Sequence, residues 1–209
     1  GYSNLAACYA RLRSMPKAVE EAQHAVDNAP KAAVQRLNLS LFSTYAGNFA
    51  KGEKEARQVL AINPAYAQAY PTLADSQIGQ GQVQQANETY DSLAKLGPSG
   101  ASSAVLGHAE VASYEGRFGD AARILTPAIE ADLKGKDTES AADKLISLAY
   151  AQLSSGQNRQ AVESAQRALV NSKRLGVRFL AARIFARAGE EARARELATA
   201  MGSEVLVDP

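Results

Sequence analysis

Pro30, Pro64 and Pro98 stand 34 residues apart, and each closes a stretch built to one pattern. A fixed spacing of that size means a single supersecondary unit copied in tandem. One unit of this length cannot bury an apolar stripe alone, so neighbouring copies must stack. The period therefore excludes most globular arrangements before any individual residue is considered.

Each copy holds two amphipathic stretches, and small residues mark where they cross. In the middle of the first stretch stand Ala6, Ser40, Ala74, Ala109, Ala149 and Ala182; at the start of the second stand Ala18, Gly52, Ala86, Ala121, Ala161 and Ala194. Both series step by 34, 34, 35, 40 and 33 residues. Two helices joined by a short turn approach closely only where neither has a bulky side chain at the crossing. Five residues before the second series come Gly47, Gly81, Gly116, Gly156 and Gly189, suited to the left-handed residue that ends a helix. The first copy has Arg13 there, followed by Ser14 as an N-cap and Pro16 in the first turn, where a missing N–H costs nothing. Leu5, Leu39, Leu73, Leu148, Tyr90 and Leu125 are the expected core. No alternating run and no Asn-Gly turn predicts a strand.

These residues carry a family resemblance. "NLAACYARLRSMPKAVEEAQHAVDNAP" resembles a tetratricopeptide repeat, with Leu5, Ala6, Tyr9, Ala18, Ala25 and Pro30 on the signature positions. "GNFAKGEKEARQVLAINP", "GQVQQANETYDSLAKLGP" and "GRFGDAARILTPAIEA" are further versions of its second half. Position eight of the motif, usually Gly, is Ala or Ser throughout, and copies four to six lack the closing Pro. The resemblance implies an all-α fold, a right-handed α-solenoid of about six helix–turn–helix copies: 1–32, 33–66, 67–100, 101–136, 137–174 and 175–209. The longest step falls on Asp132 to Ser140, which reads as a surface loop or an extended helix end. The opening at Gly1, in mid-repeat and without Met, and the apolar close "GSEVLVDP" lack polar caps, so the sequence reads as part of a longer protein.

Composition removes several functions. The 209 residues hold 23 Lys+Arg against 22 Asp+Glu, a net of +1, which singles out neither nucleic acid nor an anionic membrane. An apolar share of 46% permits a sizeable core. Cys8 stands alone, which excludes an internal disulfide and a thiolate metal cluster. No apolar run approaches the roughly 20 residues of a membrane span. The expectation is no membrane contact and a cytoplasmic place.

A catalytic constellation is not found, so an enzyme, a cofactor and a metal are not expected. His24 faces outward on a second helix, and His108 lies beside the crossing of copy four; neither has ligands at metal spacing. Cys8 reads as a small core residue. "GQGQ" at Gly79–Gln82 marks a turn, not a phosphate loop. The sequons at Asn38 and Asn87 fall inside predicted helices.

What remains is a binding surface. The resemblance implies that first helices line a concave face, where the matching positions are Asn4, Asn38, Leu41, Tyr45, Gln68, Thr72, Asp75, Glu110, Tyr114, Tyr150, Arg183 and Arg187. Tyrosines and amides on a rigid groove suit an extended peptide or a partner helix. Chaperone-binding members of the family share a two-carboxylate clamp. Asn4 and Asn38 hold its asparagine positions, but Gln68 and Thr72 replace its cations, so a terminal carboxylate would be poorly held. From Arg159 to Arg195 there are nine Lys/Arg against three Glu. This end reads as a solvated face or a junction, and less as a contact for acidic peptide or RNA, since Phe179 and Phe185 are expected in the core. The expected function is a non-catalytic scaffold for a protein or peptide. An alternative is the regulatory arm of a multidomain bacterial signalling enzyme or transcription regulator, because "RFLAARIFARAGEEARARELA" is similar to arrays attached to bacterial serine/threonine kinases. RNA binding through the basic end is the weakest reading.

Overall fold

The structure, a computed structural model, describes residues 1–207, the last four by their backbone alone. The helices pair as α1 (Tyr2–Arg11) with α2 (Met15–Asn28), α3 (Ala33–Tyr45) with α4 (Phe49–Ile62), and α5 (Ala69–Gly79) with α6 (Val83–Ala94). Next come α7 (Pro98–Tyr114) with α8 (Phe118–Lys134), α9 (Thr138–Ser154) with α10 (Asn158–Asn171), and α11 (Leu175–Arg187) with α12 (Glu191–Val207). Among the described residues there is no strand.

One turn makes every pair. Its middle residue is left-handed: φ is 79° at Gly47, 75° at Gly81 and Gly116, 78° at Gly156 and 90° at Gly189. The next N–H then donates to the carbonyl five residues back, as in Asn48 to Ser43 and Gln82 to Gln77, both at 2.8 Å. This closes the helix end on itself. Arg13 takes the same conformation, at φ 56°, and Ser14 donates to Tyr9 at 2.9 Å, so the turn forms even where glycine is missing. Ser14 precedes α2 without a side-chain cap bond, whereas Asn48 accepts from the Lys51 N–H at 3.3 Å.

The long step between copies four and five is also explained by this turn. No extended loop is present; α8 runs on to Lys134 and α9 begins at Thr138. Lys136 is left-handed at φ 61°, and Asp137 N–H donates to Asp132 at 2.9 Å, the same closure used inside the pairs. The added residues therefore lengthen two helices. Pro98 differs from Pro30 and Pro64: it opens α7, where its fixed φ is suited to a first turn, instead of closing α6. The stretch from Gly202 to Val207 continues α12, and Asp208 and Pro209 lie outside the described residues.

The chain forms two compact units, residues 1–107 and from His108 onward, with α7 shared between them. In the first, α1 to α6 pack in sequence order, and α1, α3 and α5 also touch one another. Its first core cluster joins Ala6, Ala18, Ala22, Val26, Leu39 and Phe42. At the next crossing Gly52 leaves no room for a side chain: a Cβ there would lie 2.3 Å from Thr44 Oγ1 and 2.7 Å from Ser76 Oγ. Buried hydroxyls fill that space. Ser40 donates to the Gly52 carbonyl at 2.6 Å, and the Thr44 and Ser76 hydroxyls are 2.7 Å apart, one donating to the other while the acceptor of the two donates to a carbonyl of its own helix.

In the second unit α8 to α12 pack in sequence order, with α9 also against α11. Ala149 and Ala161 are fully buried at the crossing. Near the lengthened helices Lys144 is buried and paired with Asp132 at 2.6 Å. Equivalent polar clasps tie a hairpin in each unit: Thr89 to the Gln77 amide, and Ser164 to Gln152, both at 2.8 Å.

Three expected core residues are exposed. Leu5 is 42% exposed, although Leu39 and Leu73 at its register are buried by the hairpin before them. Cys8 is exposed on the same side of α1. Phe179 is 53% exposed, whereas Phe185 is buried. Register sets the direction of a side chain; burial also needs a neighbour on that side.

Candidate functional site

Because the odd-numbered helices touch one another as well as their partners, each unit presents an odd-helix face and an even-helix face. Two register lines run along the odd helices. Six residues before the left-handed turn residue come Ala7, Leu41, Asp75, Glu110, Tyr150 and Arg183; two residues before it come Arg11, Tyr45, Gly79, Tyr114, Ser154 and Arg187.

The second line is open. Tyr45 and Tyr114 are 63% and 61% exposed, and Arg187 is exposed too. At Gly79 the large side chain is absent because the Phe49 ring occupies its place; a Cβ there would lie 2.4 Å from that ring. Phe49, the first residue of α4, was not among the expected face residues. A glycine where the copies on either side carry Tyr45 and Tyr114 is its trace in the sequence.

The first line is mixed. Asp75, Glu110 and Arg183 are exposed, while Leu41 turns into the first core cluster. Asp75 opens to solvent on one side, yet the surrounding protein mass pushes its carboxyl above the usual carboxylate range. Tyr150 is half-buried, and its hydroxyl is enclosed without a hydrogen-bond partner among the described residues. Arg183 lies over the Phe179 ring at 5.9 Å.

The remaining expected residues fall on two other lines. Asn4 and Gln68 are exposed and Asn38 is half-buried, but Thr72 is only 6% exposed. Gly107 shares the register of Thr72, and a Cβ there would meet the Tyr90 ring at 2.2 Å. That line marks a packing boundary, so Thr72 is removed from the accessible face.

No family model matches the sequence, and no curated protein does either. Solved structures do match. A tetratricopeptide repeat protein from Parabacteroides merdae superposes with a TM-score of 0.67 at 18% identity, over 97% of this chain and 77% of its own. TTC0263, a tetratricopeptide protein of Thermus thermophilus, gives 0.67 at 18% identity over 88% and 97%. The fold is that of the tetratricopeptide repeat. The Cut9 and Hcn1 hetero-tetramer of the APC/C also matches, at TM-score 0.58 and 15% identity, over 86% of this chain and 35% of the matched one.

In this tetratricopeptide fold the even-helix face is seamed. In the first unit, clefts of 540 Å³ and 360 Å³ run beside α4, toward α2 and α6. In the second, one of 390 Å³ separates α10 from α12. Several charged side chains along the seams are paired: Glu55 with Arg36, Arg57 with Glu53 at 2.7 Å, and Arg159 with Glu163 at 3.1 Å. Among the described residues no group of three or more His, Cys, Asp or Glu could hold a metal ion. No described helix is long and apolar enough to cross a membrane.

Proposed function

We propose that the chain is a non-catalytic scaffold that takes a peptide or partner protein on its odd helices, the face that the family resemblance implies is concave. One observation carries this reading: Tyr45 and Tyr114 share a register position and are 63% and 61% exposed, when rings of that size are ordinarily covered. Tyrosine offers contact area at low entropic cost and a hydroxyl for backbone groups of a ligand. The hetero-tetramer of Cut9 with Hcn1 is a case of a matching structure assembled with another chain. The seams of the even face are weaker candidates, since most of their arginines are already paired with carboxylates.

The test is a captured, identified partner re-examined with purified protein. Tyr45→Ala, Tyr114→Ala and Tyr150→Ala together should raise Kd by about a hundredfold, given about 1 kcal/mol or more for each ring lost from an interface. Unchanged affinity with an intact helical spectrum moves the site to the even helices or an end. A regulatory arm in a larger signalling protein would use the same face, and the reading frame around this segment decides that question.

A further inference from the structure

The basic stretch divides into two kinds of arginine. Arg159 pairs with Glu163 at 3.1 Å, Arg193 with Glu190 at 3.5 Å and Arg195 with Glu191 at 3.3 Å. Arg174 holds Asp143 at 2.6 Å and also Glu139. Arg183 and Arg187 are exposed and have no ion-pair partner among the described residues. They sit one turn apart on the odd face of α11, so their side chains rise from neighbouring points on the helix surface.

Phe179 stands one turn earlier on the same line, 53% exposed, with the Arg183 guanidinium 5.9 Å above its ring. A guanidinium laid on an aromatic face is held in one place while its edge still offers N–H donors. Two cations without an ion-pair partner, one of them laid on a ring, complement a pair of carboxylates on one side of a peptide. In an extended chain alternate side chains share a side and lie about 6.8 Å apart, close to the spacing of one helical turn.

We propose that Arg183 and Arg187 form an acceptor for an acidic peptide segment with carboxylates at alternate positions, the Phe179 ring holding the Arg183 guanidinium in place. This rests on the scaffold reading and names the partner's chemistry at one part of the same face. Nucleic acid fits less well. Proteins that hold it by the backbone commonly use about six to ten phosphate contacts, whereas four of the nearby arginines already hold carboxylates. Arg183 also covers the ring that a base would need.

The experiment uses the whole chain and three labelled probes in fluorescence anisotropy: a peptide of five Asp-Leu repeats, one of five Asn-Leu repeats, and a ten-nucleotide oligouridylate. The Asp-Leu probe should bind at least about tenfold more tightly than the other two. Arg183→Glu with Arg187→Glu should remove that preference, and Phe179→Ala should weaken it, with melting temperatures close to that of the parent. Oligouridylate bound as tightly as the Asp-Leu probe would overturn the proposal in favour of a nucleic-acid patch. Indifference of the Asp-Leu probe to charge reversal would overturn it outright. If charge reversal has no effect while the tyrosine substitutions still weaken the captured partner, the acidic chemistry fails and the scaffold stands.

Discussion

Two crossings, one in each unit, achieve the same close approach of helices with opposite chemistry. In the first, Gly52 has Thr44 and Ser76 hydroxyls where its own Cβ would be. In the second, Ala161 holds the equivalent place, and the positions of Thr44 and Ser76 are occupied by Leu153 and Ile184. The crossing requires a small volume, and either a methyl group or a network of hydroxyls can share it. The polar solution ties Gly52, Ser40, Thr44 and Ser76 together, so changing one exposes the others. Each unit also buries a charged group against a partner: the first holds Glu55 with Arg36, and the second Lys144 with Asp132 where its helices are lengthened.

Breaking the second of these ion pairs should give the largest effect. Lys144→Ala leaves the half-buried Asp132 without its cation, at a cost of about 3 kcal/mol in urea unfolding. Adding Asp132→Ala should return much of it. A single-variant cost under about 1 kcal/mol would mean the pair is solvated and the lengthened helices are held by packing alone.

The crossing comes next. Gly52→Ala forces a methyl against hydroxyl oxygens fixed by their own hydrogen bonds, costing about 2 kcal/mol. Ala161→Gly, in the second unit, should cost about 1 kcal/mol from helix propensity and lost contact. Thr44→Ala combined with Gly52→Ala should be less damaging than the sum of the two, measured as a double-mutant cycle. Simple additivity would show that the hydroxyls do not set the glycine.

The acids should give the smallest and most diagnostic difference, because their shifts have opposite sign. Glu139 is held below its ordinary value by the Ser172 hydroxyl and by Arg174. Its contribution is therefore present above the ordinary carboxylate pKa and lost as pH falls through the lowered folded value. Asp75 is raised by burial, so its contribution is present at acid pH and lost as pH rises through the raised value. Glu139→Gln should flatten the acid limb of a stability–pH curve, and Asp75→Asn should favour the folded state toward neutral pH. Identical curves for both variants would remove the contrast.

The hairpins were legible in the sequence because their causes are local. Small crossing residues and a left-handed turn leave marks that any copy displays, and Arg13 keeps the turn conformation although the glycine is gone. The reason for Gly52 was not legible, since it lies in Thr44 across the same hairpin together with Ser76 on the next. The burial of Lys144 left no mark in the sequence, because its partner Asp132 lies on the neighbouring helix. Leu5, Cys8 and Phe179 were misplaced for one shared reason: a periodic pattern states which way a residue points, and only the fold shows whether something covers it. On the candidate face the same distinction separates exposed Tyr45 and Tyr114 from buried Thr72 and from Leu41, which packs into the core.

The claim that the odd helices carry the binding surface is tested most directly by hydrogen-exchange footprinting of the complex with its captured partner. Slowed exchange should be concentrated in α3, α7, α9 and α11, around Tyr45, Tyr114, Tyr150 and Arg183. Protection confined to α4, α6, α10 and α12, with the odd helices unchanged, would contradict it.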